Sequence, residues 1–535
     1  MFPARLHGAA VLVASLLVVL TGAPGAEAAC NATCRRDITR CMATQCGARV
    51  GREACRRRCK PAVIRTLAYA LSECRRDAAG MEVGRQALRI RRGDREPISV
   101  LEFGPSEPIP DRQRICGAYG RSFLGTLSVL VFPLQRLVVS PDGSGVVFEV
   151  NDDFSLSRLT SLPPEQKGFF FVRSDGRERR YLGPASRDPS FRVGQGPIAA
   201  LLSQGNVFTL SPPIPFSPNG RRIAFTDLGP GPAGEEAVQI VILDLATGQR
   251  TMTSLPSGST PPPAGPGASP YFLTCCPAFI DNETVLFHTF TDPDGLNPEH
   301  NFAAFTVQID GSKLKPVPTP VAQPGSHVVP TFGVTGRRTN LVRLAVPGTP
   351  VNHVPDPRVV FPITEVFLQD GKNLLQLTNF HRIDTFSAFL DTTGTRAFFL
   401  ASANPRKEEN PDGHCQVFSI DTLGRGLRQV THFNSRMDRG AGDLAFGVPG
   451  CFHEQCGISY GYYRGVFQDP VTKAVVFDSG CDPFGANPYG WQVFSLRPDG
   501  LGLRQLTDAA GLTTNPDGSF RVEKPGPFAY SAALH

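Results

Sequence analysis

The stretch that decides the fold runs from Ser217 to Thr251. It opens with the turn sequence Ser217-Pro218-Asn219-Gly220, followed by the short apolar strand Arg222-Ile223-Ala224-Phe225. A longer apolar run, VQIVILD at 238–244, comes next, and the turn Ala246-Thr247-Gly248-Gln249 leads into a third strand. Proline, asparagine and glycine supply the fixed and positive φ angles of tight turns, so this unit predicts a small antiparallel sheet.

Five further copies of this unit occur between residues 120 and 510. They open with the sequences SPDG at 140–143, IDNE at 280–283, VTGR at 334–337, DTTG at 391–394 and DPVT at 469–472. An apolar triplet follows every opening except VTGR, the weakest copy, which is followed by a strand to Leu344. Five of the six units close on a recognisable second turn such as Pro498-Asp499-Gly500. The chain therefore contains six repeats of one sheet-forming pattern.

A sheet of short strands cannot cover both of its own faces, so the six copies must pack against one another. Their spacing of roughly 60 residues exceeds the ~20–45 residues of solenoid repeats and suits the four-stranded blades of a propeller. We therefore predict an all-β, six-bladed β-propeller at 121–535. Closure of the ring requires a strand from one end of the chain to pair with the other end, and the segments 520–522 and 528–530 are available for it.

The repeat resembles that of TolB-type propellers. The resemblance rests on the sequences 240–250 and 376–399, in which Leu-Thr, a polar loop, a Thr-Gly turn and an apolar triplet follow in order. It covers roughly residues 125–510 and implies a periplasmic propeller of the Tol–Pal envelope type. The same repeat is also similar to the propellers of prolyl-oligopeptidase-type peptidases and oligogalacturonate lyases. The N-terminal segment does not resemble the α/β domain of TolB.

Residues 1–28 have the three parts of a secretory signal peptide. Arg5 precedes an apolar run from Ala9 to Leu20, and Ala26-Glu27-Ala28 supplies small residues at the cleavage positions. The run is shorter than the ~20 residues needed to cross a bilayer, and no later segment is apolar enough to do so. We expect an exported protein, periplasmic or extracellular, without a transmembrane segment after signal removal.

All fourteen cysteines follow the signal, and export makes disulfide bonds their expected state. The spacings Cys30/Cys34 and Cys55/Cys59 place each pair on one face of a helix. We predict a basic, cysteine-rich α-helical hairpin at 29–78, stapled by Cys30–Cys59 and Cys34–Cys55. Its second helix would run from about Arg52 to Arg76.

The residues from Cys30 to Cys116 contain nine more basic than acidic side chains, against a net charge of +6 for the whole chain. A solvated helix face and an arginine-rich linker at 79–120, including Arg89-Ile90-Arg91-Arg92, account for this excess. No aromatic residue precedes Tyr69 among the arginines, which argues against a stacking platform for nucleic acid. An anionic envelope surface is the partner that this charge predicts.

The loops that follow the last strand of three successive repeats carry the candidate binding residues. His381 and Asp384 follow Leu377-Thr378, His432 follows Val430-Thr431, and Asp508 follows Leu506-Thr507. By resemblance, such loops line the mouth of the propeller, where related proteins bind peptides or, in the lyases, a metal. The alternative interpretation of these residues is an ordinary polar surface.

Two other motifs resemble catalytic or metal sites without completing them. Gly457-Ile458-Ser459-Tyr460-Gly461 matches G-x-S-x-G, but no downstream hydrolase domain can supply its partners, so we interpret it as a loop. His453 lies between Cys451 and Cys456, where a loop disulfide, either Cys451–Cys456 or one to Cys481, is favoured over an incomplete zinc site. We expect no metal or cofactor.

The sequence favours a binding protein over an enzyme. We expect a protein or peptide of the cell envelope to dock at the propeller mouth. The alternative is a metal-dependent polysaccharide lyase, in which His381, His432 or His353 would hold a divalent metal in the channel.

Overall fold

The computed structural model describes residues between 64 and 530, with gaps of which the longer ones are 111–133, 152–163, 188–215, 254–273, 346–363 and 435–466. These residues form β-strands and two single turns of 3-10 helix, Pro164–Gln166 and Pro293–Gly295. No α-helix occurs in the ranges that are described. The all-β class predicted from the repeats is confirmed.

Six sheets of the structure correspond one to one with the six repeats and are the blades of the propeller. Blade 1 consists of β5 (Leu134–Val139), β6 (Gly145–Val150), β7 (Gly168–Arg173) and β8 (Arg180–Gly183). Blade 2 consists of β9 (Arg222–Pro230), β10 (Glu236–Asp244) and β11 (Arg250–Thr253), and blade 3 of β12 (Thr274–Phe279), β13 (Thr284–Thr289), β14 (Ala303–Gln308) and β15 (Lys315–Pro316).

The remaining three blades have four strands each, paired antiparallel in chain order. Blade 4 consists of β16 (His327–Val329), β17 (Thr339–Ala345), β18 (Thr364–Asp370) and β19 (Asn373–Gln376). Blade 5 consists of β20 (Phe386–Leu390), β21 (Arg396–Ala401), β22 (Gln416–Asp421) and β23 (Arg428–Gln429). Blade 6 consists of β24 (Phe467–Gln468), β25 (Val475–Ser479), β26 (Gln492–Leu496) and β27 (Arg504–Gln505).

A further sheet, here called the terminal sheet, combines strands from the two ends of the described chain. Its N-terminal strands are β1 (Thr66–Arg76), β2 (Met81–Arg92), β3 (Ile98–Phe103) and β4 (Ile109–Pro110), and its C-terminal strands are β28 (Gly511–Thr514) and β29 (Phe520–Tyr530). The strand order is β28-β29-β1-β2-β3, and β1 pairs with β29 antiparallel. The C-terminal segments thus pair with a strand from the other end of the described chain, as predicted. They do so in a seventh sheet packed between blade 6 and blade 1, and not by completing one of the six blades.

Apolar side chains between neighbouring sheets hold the ring together. On one side of the terminal sheet, Leu67 and Tyr69 pack with Val476 and Val493 of blade 6. On its other side, Ala68, Leu88 and other side chains pack with the inner strands of blade 1. Further buried clusters join blade 1 to blade 2, blade 2 to blade 3, and blade 4 to blade 5. Burial on both faces explains the unbroken apolar runs of the repeats.

The antiparallel order of each blade gives the ring two different ends. The turns between first and second strands and between third and fourth strands lie at one end, called the turn face. The other end, called the loop face, carries the loops between second and third strands and the connections to the next blade. Turns on the turn face form as predicted: Gly143 has φ +72° and Gly220 has φ +69°, and Ser140 and Ser217 donate to Asp142 and Asn219.

The prediction of a helix reaching Arg76 is wrong, because residues 66–76 form β1. The predicted linker at 79–120 is also wrong where it is described, because β2 and β3 occupy most of 81–103. Alanine, leucine and arginine favour helix locally, but pairing with β29 on one side and β2 on the other overrides that preference. Residues 1–63, with the predicted signal peptide and the cysteines of the predicted stapled hairpin, lie outside the described residues.

In the described part of the chain, no helix is both long and apolar enough to span a membrane. The cysteines whose side chains are described are Cys74, Cys415 and Cys481, and all three are disulfide-bonded. Cys451 and Cys456 lie outside the described residues. The predicted pairings Cys30–Cys59, Cys34–Cys55 and Cys451–Cys456 therefore remain predictions.

Candidate functional site

The connections that leave blades 4, 5 and 6 share the sequence Gln-Leu/Val-Thr. In each of them the glutamine ends or borders the outer strand, and its side-chain amide donates to the carbonyl oxygen of the threonine. The three distances are 2.7 Å for Gln376 to Thr378, 2.8 Å for Gln429 to Thr431 and 2.7 Å for Gln505 to Thr507. The repeated motif therefore begins each connection with the same local turn.

The threonine hydroxyl then ties the connection to the third strand of its own blade. In blade 5 the hydroxyl of Thr431 accepts from the backbone N–H of Val417 at 2.9 Å and donates to Oε1 of Gln416 at 2.7 Å. In blade 6 Thr507 makes the same two bonds with Val493 and Gln492, at 2.9 and 2.7 Å. All of these groups are buried, so water does not compete for their hydrogen bonds.

The side chain at the start of the third strand completes the network, which we call the clamp. Gln416 accepts from the backbone N–H of Phe433 at 3.2 Å and donates to its carbonyl oxygen at 2.7 Å. Gln492 makes the corresponding pair of bonds with Ala509, at 3.1 and 2.6 Å. The residue two positions after the threonine is thus held through both of its backbone polar groups.

Aromatic side chains at that same position pack into the next blade. The ring of Phe380, which follows Thr378, lies 5.8 Å from Phe399 and 5.6 Å from Phe418 of blade 5. Phe433 lies 5.9 Å from Phe477 of blade 6 and is only 3% exposed. The clamp therefore also fixes each blade against its neighbour, and the loops it holds are rigid parts of the scaffold.

The clamped connections expose three of the residues that the sequence analysis selected. His432 and Asp508 come directly after their threonines, and His381 comes three residues after Thr378; all three are exposed on the loop face. They belong to three successive blades, so they follow one another around that face. Asp384 and His353 lie outside the described residues, and the role of all these side chains in binding stays a prediction.

His432 has the most distinctive electrostatic environment of the three. Desolvation by the atoms packed around its ring lowers its pKa, Glu409 opposes this effect, and Arg428 adds to it. Its Nδ1 lies 3.4 Å from the side-chain amide of Gln429. At neutral pH the ring is therefore uncharged, and a neutral imidazole offers one hydrogen-bond donor and one acceptor.

Sequence analysis missed the clamp residues. The apolar pattern of Gln416-Val417-Phe418-Ser419 and Gln492-Val493-Phe494-Ser495 predicts only a strand, although the glutamine occurs at the same place in both. Both glutamines are fully buried. A buried amide needs partners for its donor and acceptor groups, and that requirement is the signal that could have identified them.

Within the described ranges, no group of three or more His, Cys, Asp or Glu side chains is arranged to hold a metal ion. His381 and His432 belong to different connections, and their rings are not brought together in such a group. The lyase alternative stays a prediction, to be tested by metal analysis of the purified protein.

Comparisons with known proteins give similarity in fold alone. No family profile and no curated protein sequence matches the chain. Similar structures include the propeller domain of the Trilobed protease from Pyrococcus furiosus, with 10% identity, a TM-score of 0.36, and coverage of 75% of this chain and 96% of that domain. A putative TolB from Agrobacterium tumefaciens has 12% identity, a TM-score of 0.30, and coverage of 59% and 90%.

An oligogalacturonate lyase in complex with manganese has 10% identity, a TM-score of 0.37, and coverage of 76% of this chain and 87% of that chain. The chain spans only 27% of the tricorn protease and 50% of a prolyl endopeptidase, which are also similar in structure. The six repeat sheets and their packing define the class of this protein as a β-propeller. This class rests on the six repeats and their sheets, and no sequence match shows the chain to be a TolB protein.

Proposed function

We propose that this chain is an exported propeller protein that binds a protein or peptide on its loop face. The observation that carries the proposal is the clamp, which holds the connections after blades 5 and 6 by the same buried bonds and leaves His432 and Asp508 exposed. A related network holds the connection that carries His381.

Rigid loops favour binding because little conformational freedom is lost when a partner docks. The exposed groups are also chemically suited to a peptide. A neutral His432 offers a donor and an acceptor that match peptide N–H and C=O groups, and the Asp508 carboxylate accepts hydrogen bonds from N–H donors. Binding residues on loops held by a rigid scaffold are a common arrangement.

Export is the second part of the proposal. The described cysteines are oxidised, as expected in an oxidising compartment. The basic residues before 64 would provide a second contact with an anionic envelope surface. Part of the basic segment has a different role, because Arg91 is buried and its guanidinium donates to the carbonyl oxygen of Leu506 in blade 6.

The proposal is tested with a random peptide library displayed on phage. Peptides are selected on the wild-type protein and re-measured on the triple variant H381A/H432A/D508A. The matched control changes three exposed residues of the turn face, R179A/K313A/L423A. We expect selected peptides to lose at least about tenfold in affinity on the loop-face variant and to keep their affinity on the control. Peptides that bind both variants equally, or an absence of selected peptides, would overturn the proposal.

A further inference from the structure

The clamp residue of blade 4 differs from those of blades 5 and 6. Where the latter have Gln416 and Gln492, blade 4 has Glu365, which is fully buried. Thr378 plays the same part as the other threonines: its hydroxyl accepts from the N–H of Val366 at 2.8 Å and donates to Oε2 of Glu365 at 2.5 Å. The position is therefore equivalent in all three blades, and only its chemistry changes.

A carboxylate cannot donate a hydrogen bond, so Glu365 holds its loop in another way. Its Oε1 accepts from two consecutive backbone N–H groups, those of Phe380 and His381, both at 2.7 Å. Gln416 instead accepts from one such N–H group and donates to the carbonyl oxygen of the same residue. The carboxylate therefore accepts a hydrogen bond from the N–H of one additional residue, His381.

The backbone of His381 has an unusual conformation where it makes this additional hydrogen bond. Its φ angle is +52°, in the left-handed region that residues other than glycine rarely adopt. The equivalent residues of the next two connections, Asn434 and Ala510, are not among the described residues with positive φ. The left-handed turn thus accompanies the carboxylate and is absent where the clamp residue is glutamine.

We propose that Glu365 is a positioning residue of the loop face: its carboxylate holds His381 in the left-handed conformation and so sets the direction in which the imidazole is presented to a docked peptide. The presentation of the imidazole to a peptide rests on the proposed function. The effect of Glu365 on the backbone of His381 does not depend on any partner.

The burial of Glu365 supports a functional reason for the carboxylate. Desolvation raises its pKa, although the hydrogen bonds from Thr378, His381 and Phe380 and the charge of His381 act in the opposite direction. Glutamine fills the same position in blades 5 and 6 without the cost of a buried charge. Groups kept in spite of such a cost cluster at functional sites.

The test compares E365Q with the reciprocal variant Q416E. E365Q gives blade 4 the clamp that blades 5 and 6 already have, so it is expected to fold. The backbone of His381 is followed by the amide–Hα coupling constant and by amide hydrogen exchange in an isotopically labelled sample at neutral pH. We expect the His381 φ to leave the left-handed region in E365Q, and its amide to exchange about tenfold faster, the equivalent of one lost hydrogen bond.

Q416E is expected to do the reverse in blade 5: the new carboxylate should accept a hydrogen bond from the N–H of Asn434 and move its φ into the left-handed region. Peptides that lose affinity on H381A should lose a similar factor on E365Q and should keep their affinity on the turn-face control R179A/K313A/L423A. An unchanged His381 backbone in E365Q would overturn the inference whatever the peptides do. A changed backbone with no peptide that depends on His381 would support the structural part of the inference and overturn the presentation of His381 to a docked peptide, while the proposed function is judged by the triple variant.

Discussion

The clamp of blade 5 predicts the effect of replacing Thr431 by valine. Valine has nearly the shape of threonine, so the substitution leaves no cavity and removes only the hydroxyl. That hydroxyl accepts from the buried N–H of Val417 and donates to Oε1 of Gln416. After the substitution, Val417 keeps a buried donor that has lost this acceptor.

The magnitude follows from the two bonds. A buried donor left without an acceptor costs about 1–3 kcal/mol. Oε1 of Gln416 still accepts from the N–H of Phe433, so its loss is smaller. We therefore expect T431V to lower the free energy of unfolding by about 2 kcal/mol.

Chemical denaturation measures this loss, and hydrogen exchange locates it at the Val417 amide. T507V removes the corresponding hydroxyl in blade 6 and should cost about the same. T513V changes an exposed threonine of β28 and should have little effect. If T431V and T507V both cost less than about 0.5 kcal/mol and the Val417 amide keeps its protection, the clamp does not hold the loops as argued.

Three further perturbations test other parts of the structure. D94A removes the carboxylate that pairs with the buried guanidinium of Arg504, and should lower the free energy of unfolding by about 3–5 kcal/mol in denaturation experiments. G500A forces a left-handed residue with φ +78° to carry a methyl group 2.7 Å from the Val430 carbonyl oxygen, so its melting temperature should fall. Desolvation raises the pKa of Glu365 above its ordinary 4.5, so the stability this group contributes is present below about pH 4.5 and is lost as pH rises through the folded-state pKa. The stability advantage of E365Q over wild type should therefore grow as pH increases from about 4 to 8, and a constant difference would contradict this sign.

The blades were predictable because each repeat contains its own turns and strands. The sequence SPDG at 140–143 and the apolar triplet after it specify a hairpin whose partners lie within a few residues. Local information of this kind survives in the folded protein because every strand of a blade pairs with a strand next to it in the chain.

The terminal sheet was not predictable in the same way. Nothing near Thr66–Arg76 shows that the partner of this strand is Phe520–Tyr530, and its alanine and leucine content favours a helix when it is considered alone. Exposure of His381, His432 and Asp508 followed from their place after the outer strands. The clamp that fixes those loops required knowledge of burial, which the sequence does not state residue by residue.

The pairing of the first described strand with the last has a consequence for the order of events in folding. Glu73 and Arg521, which form an ion pair between these strands, are 448 residues apart in the chain. Bringing together ends separated by such a distance costs about 5 kcal/mol of chain entropy before other contacts form. During vectorial synthesis or translocation β1 can pair with β2, but its other edge has no partner until β29 has emerged. The nascent propeller therefore remains an open arc with one unpaired strand edge, the stage at which a holding chaperone would be most useful.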